Sequence, residues 1–245
     1  MTADYLLIDV GNGRTKFGLA TREAILDQRD TPTPTLDAGV LRELLNKWNF
    51  SRVVCASVVP RATEMLCAFF GDQLLVLRHD LDLGIGIKYP KPESIGADRL
   101  ANAVALTRLY GAPGIVIDFG TAVTFDIVDA TPAYVGGVIA PGLRLMTDYL
   151  HERTALLPKV DLSEPVSAVG KSTEQAILSG AAIGYRGMIR GLLEALRKEL
   201  GSPANLRVIA TGGDAAWIAS GLPEIEAVDA DLTLHGLRLV GNLAE

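Results

Sequence analysis

The sequence predicts an α/β protein built from two duplicated halves. Short apolar runs of strand length alternate along the chain with longer segments whose leucines recur at helical spacing. A segment near residue 5 is repeated near residue 115 in the same hydrophobic frame. Hydrophobic residues make up 49% of the 245 positions, which is enough to bury a sizeable core.

The first half begins with a predicted three-stranded meander. Tyr5–Val10 is an apolar run closed by glycine, and Thr15–Ala20 and Ala24–Arg29 continue as strands. The two prolines within Thr31–Thr35 cannot donate to a ladder, so this segment is predicted to be a loop. The further predicted elements are helix Leu36–Asn49, strand Arg52–Val59, helix Ala62–Phe70, strand Leu74–Leu77, loop Gly84–Glu93 and helix Gly96–Tyr110.

The second half restarts with strands. Ile115–Asp118 is apolar, and apolar and polar residues alternate over Thr124–Val128. A glycine-dense stretch, Gly136–Gly142, leads into a predicted helix over Leu143–Leu156, and Lys159–Ser172 is irregular. The remaining predictions are helical Thr173–Leu200 with a break near Gly180–Gly187, strand Leu206–Ala210, turn Thr211–Gly213, helix Asp214–Ser220, strand Glu226–Val228 and helix Thr233–Asn242.

The internal repeat aligns residues 6–15 with residues 115–124. Asp9 falls on Asp118, and a glycine and a threonine match at the same offset of 109 residues. Each segment is typical of a β-hairpin whose first strand ends in a carboxylate and whose turn is rich in glycine. The repeat predicts two domains, residues 1–112 and residues 113–245, divided near Gly111–Gly114.

The net charge, the cysteines and the N-terminal residues limit the partners, metal sites and cell compartment that we expect. The chain carries 23 basic and 29 acidic residues, and the net charge of −6 argues against a surface that binds nucleic-acid phosphates. Cys55 and Cys67 form no CxxC motif, so we expect two buried thiols rather than a zinc site or a disulfide framework. The apolar run Tyr5–Ile8 is too short for a secretory signal, and no stretch approaches the ~18 apolar residues of a membrane span. We therefore expect a cytoplasmic protein without nucleic-acid or membrane partners.

The two hairpin turns have the composition of a phosphate-binding site. Glycine lets the main chain approach a phosphate closely, while Asn12, Thr15, Thr121 and Thr124 add short donors and Lys16 adds a charge. Two such turns facing each other would clamp the phosphates and metal of a nucleotide. Each turn alone is equally compatible with an ordinary hairpin. The chain lacks the Walker motif, and the first turn lacks the third glycine of a Rossmann fingerprint.

Two further motifs point to phosphoryl transfer. Gly96-Ala97-Asp98-Arg99 opens a predicted helix, whose dipole keeps the acid ionised as a general base for a substrate hydroxyl. Arg99 suits an anionic substrate group. A capping acid beside a solvated arginine is the alternative. Thr211-Gly212-Gly213-Asp214 lies between a predicted strand and a predicted helix, and it suits either an adenine or ribose contact or a simple turn.

In order and spacing, these motifs resemble those of the type III pantothenate kinases. The matching segments run from about residue 5 to Gly213. They are Asp9–Lys16, Ser57–Pro60, Gly96–Arg99, Asp118–Ala122, Gly136–Gly142, Leu156–Pro158 and Ser179–Gly180. This family belongs to the superfamily of acetate and sugar kinases, heat-shock chaperones and actin. The resemblance therefore implies two duplicated ribonuclease-H-like domains with a nucleotide cleft between them.

The resemblance also implies roles for individual residues. Asp98 resembles the catalytic proton acceptor, and Asp118 resembles a ligand of a monovalent cation, K⁺ or NH₄⁺. The family usually has threonine where this chain has Gly13, so one hydroxyl of the first loop is missing and a backbone N–H remains. The implied ATP-binding residues are Asp9, Val10, Gly11, Asn12, Gly13, Arg14, Thr15, Lys16, Thr121, Gly212 and Gly213. The implied substrate-binding residues are Tyr89, Gly96, Ala97, Asp98, Arg99 and Thr173.

The implied activity is ATP-dependent phosphorylation of pantothenate to 4′-phosphopantothenate, the first step of coenzyme A biosynthesis. ATP with Mg²⁺ and a monovalent cation are the implied cofactors, and a homodimer is the implied assembly. Three alternatives remain: another small-molecule kinase or a phosphatase of the superfamily, a non-catalytic transcriptional accessory factor, and an actin-like or chaperone-like ATPase module. The presence of Asp9, Lys16, Asp98 and Asp118 favours a working enzyme.

Overall fold

The computed structural model describes residues 3–244 as an α/β structure with two mixed sheets. The chain divides into two compact units. Unit 1 takes in the chain up to Ala112, together with Asp126–Gly136 and the segment from Asp231 onward, and unit 2 comprises Pro113–Phe125 and Gly137–Ala230. The predicted α/β fold class is confirmed, while the division into duplicated domains at residues 112 and 113 stays a prediction.

Unit 1 is organised around a five-stranded sheet. Its strands are β1 (Ala3–Val10), β2 (Arg14–Ala20), β3 (Ile25–Pro32), β4 (Phe50–Ser57) and β5 (Leu74–Val76), in the order β3-β2-β1-β4-β5. The first three form the predicted antiparallel meander, and β4 and β5 add in parallel on the other side of β1. Side chains of β1 alternate between two cores, with Leu6 and Ile8 in one and Tyr5 and Leu7 in the other.

Strand β3 continues into the segment that was predicted to be a loop. Thr31 and Pro32 extend the strand, and Pro32 lies opposite Arg14 of β2. The next N–H, that of Thr33, donates inward to the carbonyl of Gly13 at 3.0 Å. Since successive N–H groups of a strand point to opposite sides, the nitrogen of Pro32 points away from the sheet. Proline is tolerated here because β3 is an edge strand.

Helices cover both faces of this sheet. They are α1 (Ala38–Leu44) and α2 (Pro60–Phe70) on one face, and α3 (Ala97–Ala105) and α8 (Leu232–Leu243) on the other. Helix α8 crosses α3 so closely that a Cβ at Gly236 would overlap the carbonyl oxygen of Ala101. The same buried cluster includes Ala97 and Leu100, so the start of α3 is fixed against the sheet.

Helix α1 is shorter than the predicted Leu36–Asn49. Asp37 caps the helix by accepting hydrogen bonds from the backbone N–H groups of Gly39 at 2.8 Å and Val40 at 2.9 Å. The helix ends at Leu44, and Lys47 then adopts a left-handed φ of 72°. The prediction was correct in type and wrong at both ends, because the cap and the turn, rather than the leucine spacing, set the boundaries.

Unit 2 contains parallel strands flanked by helices. Strand β7 (Gly114–Phe119) pairs in parallel with β10 (Arg207–Thr211), which pairs in parallel with β11 (Ala227–Val228). Strand β8 (Ala122–Val128) follows β7 and contributes its residues up to Phe125 to this unit. A π-helical turn at Gly180–Gly184 lies where a helix break was predicted, but the backbone stays helical through it, so the helix is not broken there. The helices are α4 (Leu143–Glu152), α5 (Thr173–Ser179), α6 (Tyr185–Glu199) and α7 (Ala215–Ala219).

Two strands were not predicted. The glycine-dense stretch, except for Gly142, lies within strand β9 (Ala133–Pro141). The loop predicted over Gly84–Glu93 contains β6 (Gly86–Ile87), which pairs in parallel with the start of β9. Gly136 has a φ of 134°, and a Cβ there would lie 3.6 Å from Cε2 of Tyr89. Glycine lowers the strand propensity of the segment, whereas the position of β9 between β8 and β6 in the sheet stabilises the strand.

The cysteines are free thiols with different environments. Cys55 is buried in β4, as predicted. Cys67 is exposed, and the prediction that it is buried was wrong because α2 buries the face formed by Ala62, Leu66 and Phe70. Within residues 3–244, no helix is long and apolar enough to cross a membrane.

Candidate active site

The first turn of α3 presents Asp98 beside a glycine. Gly96 precedes the helix, and a Cβ at this position would lie 2.5 Å from Oδ1 of Asp98. The same oxygen accepts a hydrogen bond from the backbone N–H of Arg99 at 2.8 Å. Glycine therefore leaves the space in which the carboxylate folds back over the helix N-terminus, where the N–H groups and the helix dipole favour negative charge.

Burial makes Asp98 more basic than an ordinary aspartate. Desolvation raises the pKa of Asp98, while the backbone N–H and the charge of Arg99 lower it in part. A carboxylate with a raised pKa is a better proton acceptor. The environment of Asp98 is therefore suited to the role that the sequence predicts for it.

Arg99 is bound by a second carboxylate, which comes from another element. Its Nε donates to Oδ1 of Asp126 at 2.6 Å, and Asp126 is fully buried on β8. Asn102, one turn further along α3, donates from Nδ2 to Oδ2 of Asp126 at 3.2 Å. Thr233 of α8 bonds to Oδ1 of Asn102 at 2.9 Å, which fixes the orientation of the amide. A chain of hydrogen bonds therefore joins Arg99 to α8.

The pair formed by Arg99 and Asp126 is a buried ion pair. Burial raises the pKa of Asp126, while Arg99 and Asn102 lower it. Burial by itself lowers the pKa of Arg99, but the neighbouring charge of Asp126 raises it above the ordinary value. Both oxygens of Asp126 accept hydrogen bonds, which is the pattern of an ionised carboxylate.

Two tyrosines form the aromatic side of this cluster. The rings of Tyr89 and Tyr134 meet edge to face with their centroids 6.1 Å apart, and the guanidinium of Arg99 lies 5.7 Å from the centroid of Tyr134. The Tyr134 hydroxyl is buried and has no hydrogen-bond partner among the described residues. Unit 1 therefore brings together most of the predicted substrate-binding residues, which are Tyr89, Gly96, Ala97, Asp98 and Arg99.

The first predicted phosphate loop is the turn between β1 and β2. Asp9 lies opposite Lys16 in the antiparallel pair. The turn is closed by a hydrogen bond from the N–H of Gly11 to the carbonyl of Arg14 at 3.1 Å, and Asn12 and Gly13 are exposed in it. The acid and the lysine thus lie on neighbouring strands at the base of an exposed, glycine-containing turn.

Two threonine side chains hold the backbone of this loop through hydrogen bonds. Thr15 is buried, and its hydroxyl lies 2.9 Å from the hydroxyl of Thr33. The Thr33 hydroxyl donates in turn to the carbonyl of Gly11 at 2.7 Å. Thr15 therefore shapes the loop through Thr33, a residue that the sequence pattern did not single out.

The second hairpin turn is one residue shorter than the first. The N–H of Gly120 donates to the carbonyl of Ala122 at 3.1 Å, whereas the corresponding bond in the first turn spans Gly11 to Arg14. Strand β2 accordingly begins at Arg14 and β8 begins at Ala122, a spacing of 108 residues rather than 109. Thr15 is the second residue of its strand and Thr124 is the third of its strand, so this sequence match does not fall on equivalent strand positions.

Three glycine-containing turns meet at one edge of the sheet in unit 2. Asp118 lies opposite Thr211 in the parallel pair of β7 and β10, so both strands end there. Gly212 has a φ of 95°, and a Cβ on it would lie 2.6 Å from Oδ1 of Asp118. The N–H of Gly142, just before α4, donates to the carbonyl of Thr121 at 3.1 Å. The predicted residues Asp118, Thr121, Gly212 and Gly213 are therefore gathered together.

Thr173, the remaining predicted substrate-binding residue, is exposed at the start of α5. Its neighbour Ser172 caps this helix by accepting a hydrogen bond from the N–H of Gln175 at 3.2 Å. The predicted contact of Thr173 with the substrate stays a prediction.

Sequence reasoning missed three members of the cluster around Arg99. Asp126 lies in a strand whose neighbouring residues are apolar, and a charge in such a strand requires a partner. Asn102 follows Asp98 by one helical turn and therefore shares its helix face. Tyr134 had no signal of its own, because it lies in a strand that was not predicted.

The carboxylates suit a metal ion that is shared with a ligand. Within residues 3–244, no group of three or more His, Cys, Asp and Glu side chains is arranged to hold a metal ion. Asp9 and Asp118 each occupy the penultimate position of a strand and offer hard oxygen donors. Mg²⁺ is usually bound by one or two carboxylates together with substrate phosphates. Each carboxylate taken by itself therefore fits an ion that arrives with a nucleotide.

Comparison with solved structures shows the class of fold. A Campylobacter jejuni protein described as a Baf family transcriptional activator superposes with a TM-score of 0.64 at 19% identity, covering 96% of both chains. The inorganic polyphosphate/ATP-glucomannokinase of Arthrobacter sp. strain KM superposes with a TM-score of 0.54 at 16% identity over the full length of both chains. The chain shares the fold of these two proteins, one of which is a sugar kinase.

Sequence comparison then identifies the family within this class. The family model described as type III pantothenate kinase matches residues 5–195. The type III pantothenate kinase of Akkermansia muciniphila is 50% identical over 241 residues, which is 98% of both chains. The chain belongs to the type III pantothenate kinase family, and it is a kinase.

Proposed function

We propose that the protein transfers the γ-phosphoryl group of ATP to the primary hydroxyl of pantothenate. The product is 4′-phosphopantothenate, which begins coenzyme A biosynthesis. The observation that carries this proposal is the acid at the start of α3, a partly buried carboxylate of raised pKa beside an arginine fixed by an ion pair. Family membership supplies the identity of the acceptor.

In the proposed reaction, Asp98 accepts the proton of the pantothenate hydroxyl. The hydroxyl oxygen forms a bond to the γ-phosphorus, and the bond from this phosphorus to the bridging oxygen breaks to leave ADP. Arg99 binds an anionic group of pantothenate, and Tyr89, Gly96 and Ala97 line the acceptor site around it. Phosphoryl transfer depends mainly on positioning and charge stabilisation, which is what these fixed side chains supply.

The proposed ATP contacts come from the two hairpin turns and from the turn at Gly212. Backbone N–H groups of Asn12 and Gly13 and the side chains of Arg14 and Lys16 would contact the phosphates, while Gly11 lets the main chain approach them closely. Thr121 would contact the phosphates from the second hairpin turn. Gly212 and Gly213 would contact the adenosine, since they leave the turn without side chains. The left-handed φ of Gly212 and its close approach to Asp118 support this assignment.

Metal ions would act with ATP in this proposal. Mg²⁺ supplies charge neutralisation of the β- and γ-phosphates, and Asp9 is the carboxylate that would orient it. Asp118 would hold the monovalent cation, K⁺ or NH₄⁺. Its carboxylate, at the penultimate position of β7, offers the oxygen donors that such a cation requires.

We further propose that the protein works as a homodimer. Large apolar side chains are exposed at the end of β9 and along α4, with Ile139 64%, Leu145 51% and Tyr149 55% exposed, and Met146 and Leu150 lie on the same helix. Contiguous exposed apolar surface marks interaction sites in soluble proteins. A second copy of the chain would cover this surface.

An ATP-dependent assay with a panel of acceptors tests the proposed function. Release of ADP should require pantothenate and should increase with K⁺, while sugars should give no turnover. Turnover with a sugar alone would favour another kinase of the superfamily. Absence of turnover with every acceptor would favour the alternative of a non-catalytic transcriptional accessory factor. The similarity to the Campylobacter protein is one of fold and does not by itself support that alternative. The cytoplasmic location stays a prediction that rests on the two free cysteines.

A further inference from the structure

We propose that Asp126 is a positioning residue of the acceptor site, which binds the guanidinium of Arg99 and so keeps it from neutralising Asp98. This inference rests on the proposed function. It assigns a role to a residue that touches neither acceptor nor nucleotide in the proposed reaction.

Stability alone does not explain a carboxylate at this position. Asp126 has no solvent exposure, and its neighbours Phe125, Ile127 and Val128 are apolar. Removing such a charge from water costs several kcal/mol, and a buried ion pair often contributes less to stability than apolar side chains of the same volume. The Asp126 carboxylate therefore lowers the free energy of unfolding relative to an apolar side chain, and its presence is consistent with a role in the site.

The geometry around Asp126 fixes one orientation of Arg99. Arg99 donates from Nε to Oδ1 of Asp126 at 2.6 Å. Nε is the guanidinium nitrogen nearest the side-chain stem, so this bond sets the plane of the guanidinium. Asn102 binds the other oxygen at 3.2 Å and is itself oriented by Thr233. The carboxylate is thus fixed by two elements, α3 and α8, and transfers this rigidity to Arg99.

The same bond sets the charge that Asp98 experiences. Arg99 is adjacent to Asp98 in the chain and lowers the pKa of Asp98 through its charge. Asp126 offsets that charge from the other side of the guanidinium. Two other titratable groups face the cluster, Tyr134 on β9 and Tyr89 before it. The guanidinium of Arg99 lies over the ring of Tyr134, and the ring of Tyr89 meets that of Tyr134 edge to face. Without Asp126, the arginine charge would stabilise ionised Asp98 and make it a weaker base.

Asp126→Asn tests this inference in the full-length enzyme. The variant keeps the shape of the side chain and removes its charge. We expect kcat/KM for pantothenate to fall by about 10²-fold, the scale of loss that a small misplacement in an active site can cause. KM for ATP should stay unchanged, and the acidic limb of the pH profile of kcat should move to lower pH because Asp98 becomes less basic.

Val128→Ala is the matched structural control. Val128 is fully buried two residues further along the same strand, so its truncation weakens the same core without touching Arg99. This variant should lose thermal stability and keep the wild-type pH profile and the wild-type KM for pantothenate. If Asp126→Asn behaves like Val128→Ala, with lower stability and an unmoved acidic limb, the positioning role is wrong.

A second variant covers the case in which Asp126→Asn does not fold. Asn102→Ala removes one of the two bonds to Asp126 and should shift both kinetic quantities in the same direction by a smaller factor. Unchanged kinetics in Asn102→Ala would then overturn the inference. A wild-type enzyme that fails to phosphorylate pantothenate would overturn both the proposed function and the positioning role of Asp126. An active wild-type enzyme whose kinetics are unchanged by Asp126→Asn would overturn only the positioning role.

Discussion

Oδ1 of Asp98 accepts a 2.8 Å hydrogen bond from the backbone N–H of Arg99. The bond orients the carboxylate over the start of α3, and burial keeps the pKa of Asp98 raised. The guanidinium of Arg99 is fixed at the same time by Asp126. The proposed proton acceptor and the proposed anion-binding side chain are therefore consecutive residues of one helical turn, and each is held in one orientation by a hydrogen bond.

Asp98→Asn should abolish most turnover while leaving ATP binding intact. The amide keeps the size of the side chain but cannot accept a proton, and general-base catalysis contributes typically about 10²–10⁴-fold. We expect kcat with pantothenate to fall within this range and the Kd for ATP, measured by calorimetry, to stay unchanged. Asp80→Asn removes an exposed carboxylate paired with Arg78 and should change neither quantity. Near-normal turnover in Asp98→Asn would remove Asp98 from the base role.

The rate should also depend on pH through Asp98. Its carboxylate accepts a proton only when ionised, so kcat should fall as the pH is lowered through the raised pKa of Asp98. The inflection should lie above the ordinary value for an aspartate, which is about 3.9. A pH series of kcat in wild type measures it, and the residual rate of Asp98→Asn should lack this inflection. The same inflection in both proteins would assign it to another group.

Ionisation of Asp98 should increase the rate but lower the stability of the fold. A carboxyl group whose pKa is raised on folding contributes stability that is present below its unfolded pKa and is lost as the pH rises through its folded pKa. Asp98→Asn should therefore raise the melting temperature at neutral pH. The difference from wild type should shrink at about pH 4, near the unfolded pKa. Thermal unfolding at both pH values checks this, and an equal difference at both would show that buried charge is not its cause.

Gly212→Ala should damage both the fold and ATP binding. The residue has a φ of 95°, and a Cβ would lie 2.6 Å from Oδ1 of Asp118 and from the backbone of Phe119. A strained backbone of this kind costs of order 1–3 kcal/mol. We expect lower stability in urea unfolding and a higher KM for ATP. Gly191→Ala on α6 meets no atom within 4 Å and should instead stabilise the helix by about 1 kcal/mol. Equal behaviour of the two variants would contradict the proposed role of Gly212.

A charge on the apolar surface of α4 should convert the proposed dimer to a monomer. Leu145 is 51% exposed, and Leu145→Glu would place a carboxylate where a second copy is proposed to bind. Light scattering during gel filtration should give a dimer mass for wild type and a monomer mass for the variant. Leu26→Glu, on the edge strand β3, changes a similarly exposed leucine and should leave the dimer intact. A monomer mass for wild type at all concentrations would refute the dimer.

Much of the fold could be predicted because its signals are local. The meander of β1 to β3 and helices α2, α3 and α8 follow from runs of apolar residues and from glycine. The errors occurred where distant residues decide the outcome. Pro32 continues a strand because β3 lies at the edge of the sheet, and β9 is a strand because it lies between β8 and β6.

The sequence by itself determined the acid at the start of α3, the carboxylates that end β1 and β7, and the glycine turns that follow them. These features depend on residue type and short-range spacing, which a single chain displays directly. Only the tertiary structure decided that Asp126 binds Arg99 across 27 positions, that Thr33 supports the first turn, and that Gly212 lies against Asp118. Such contacts are set by strand register and helix packing, which act between residues far apart in the chain.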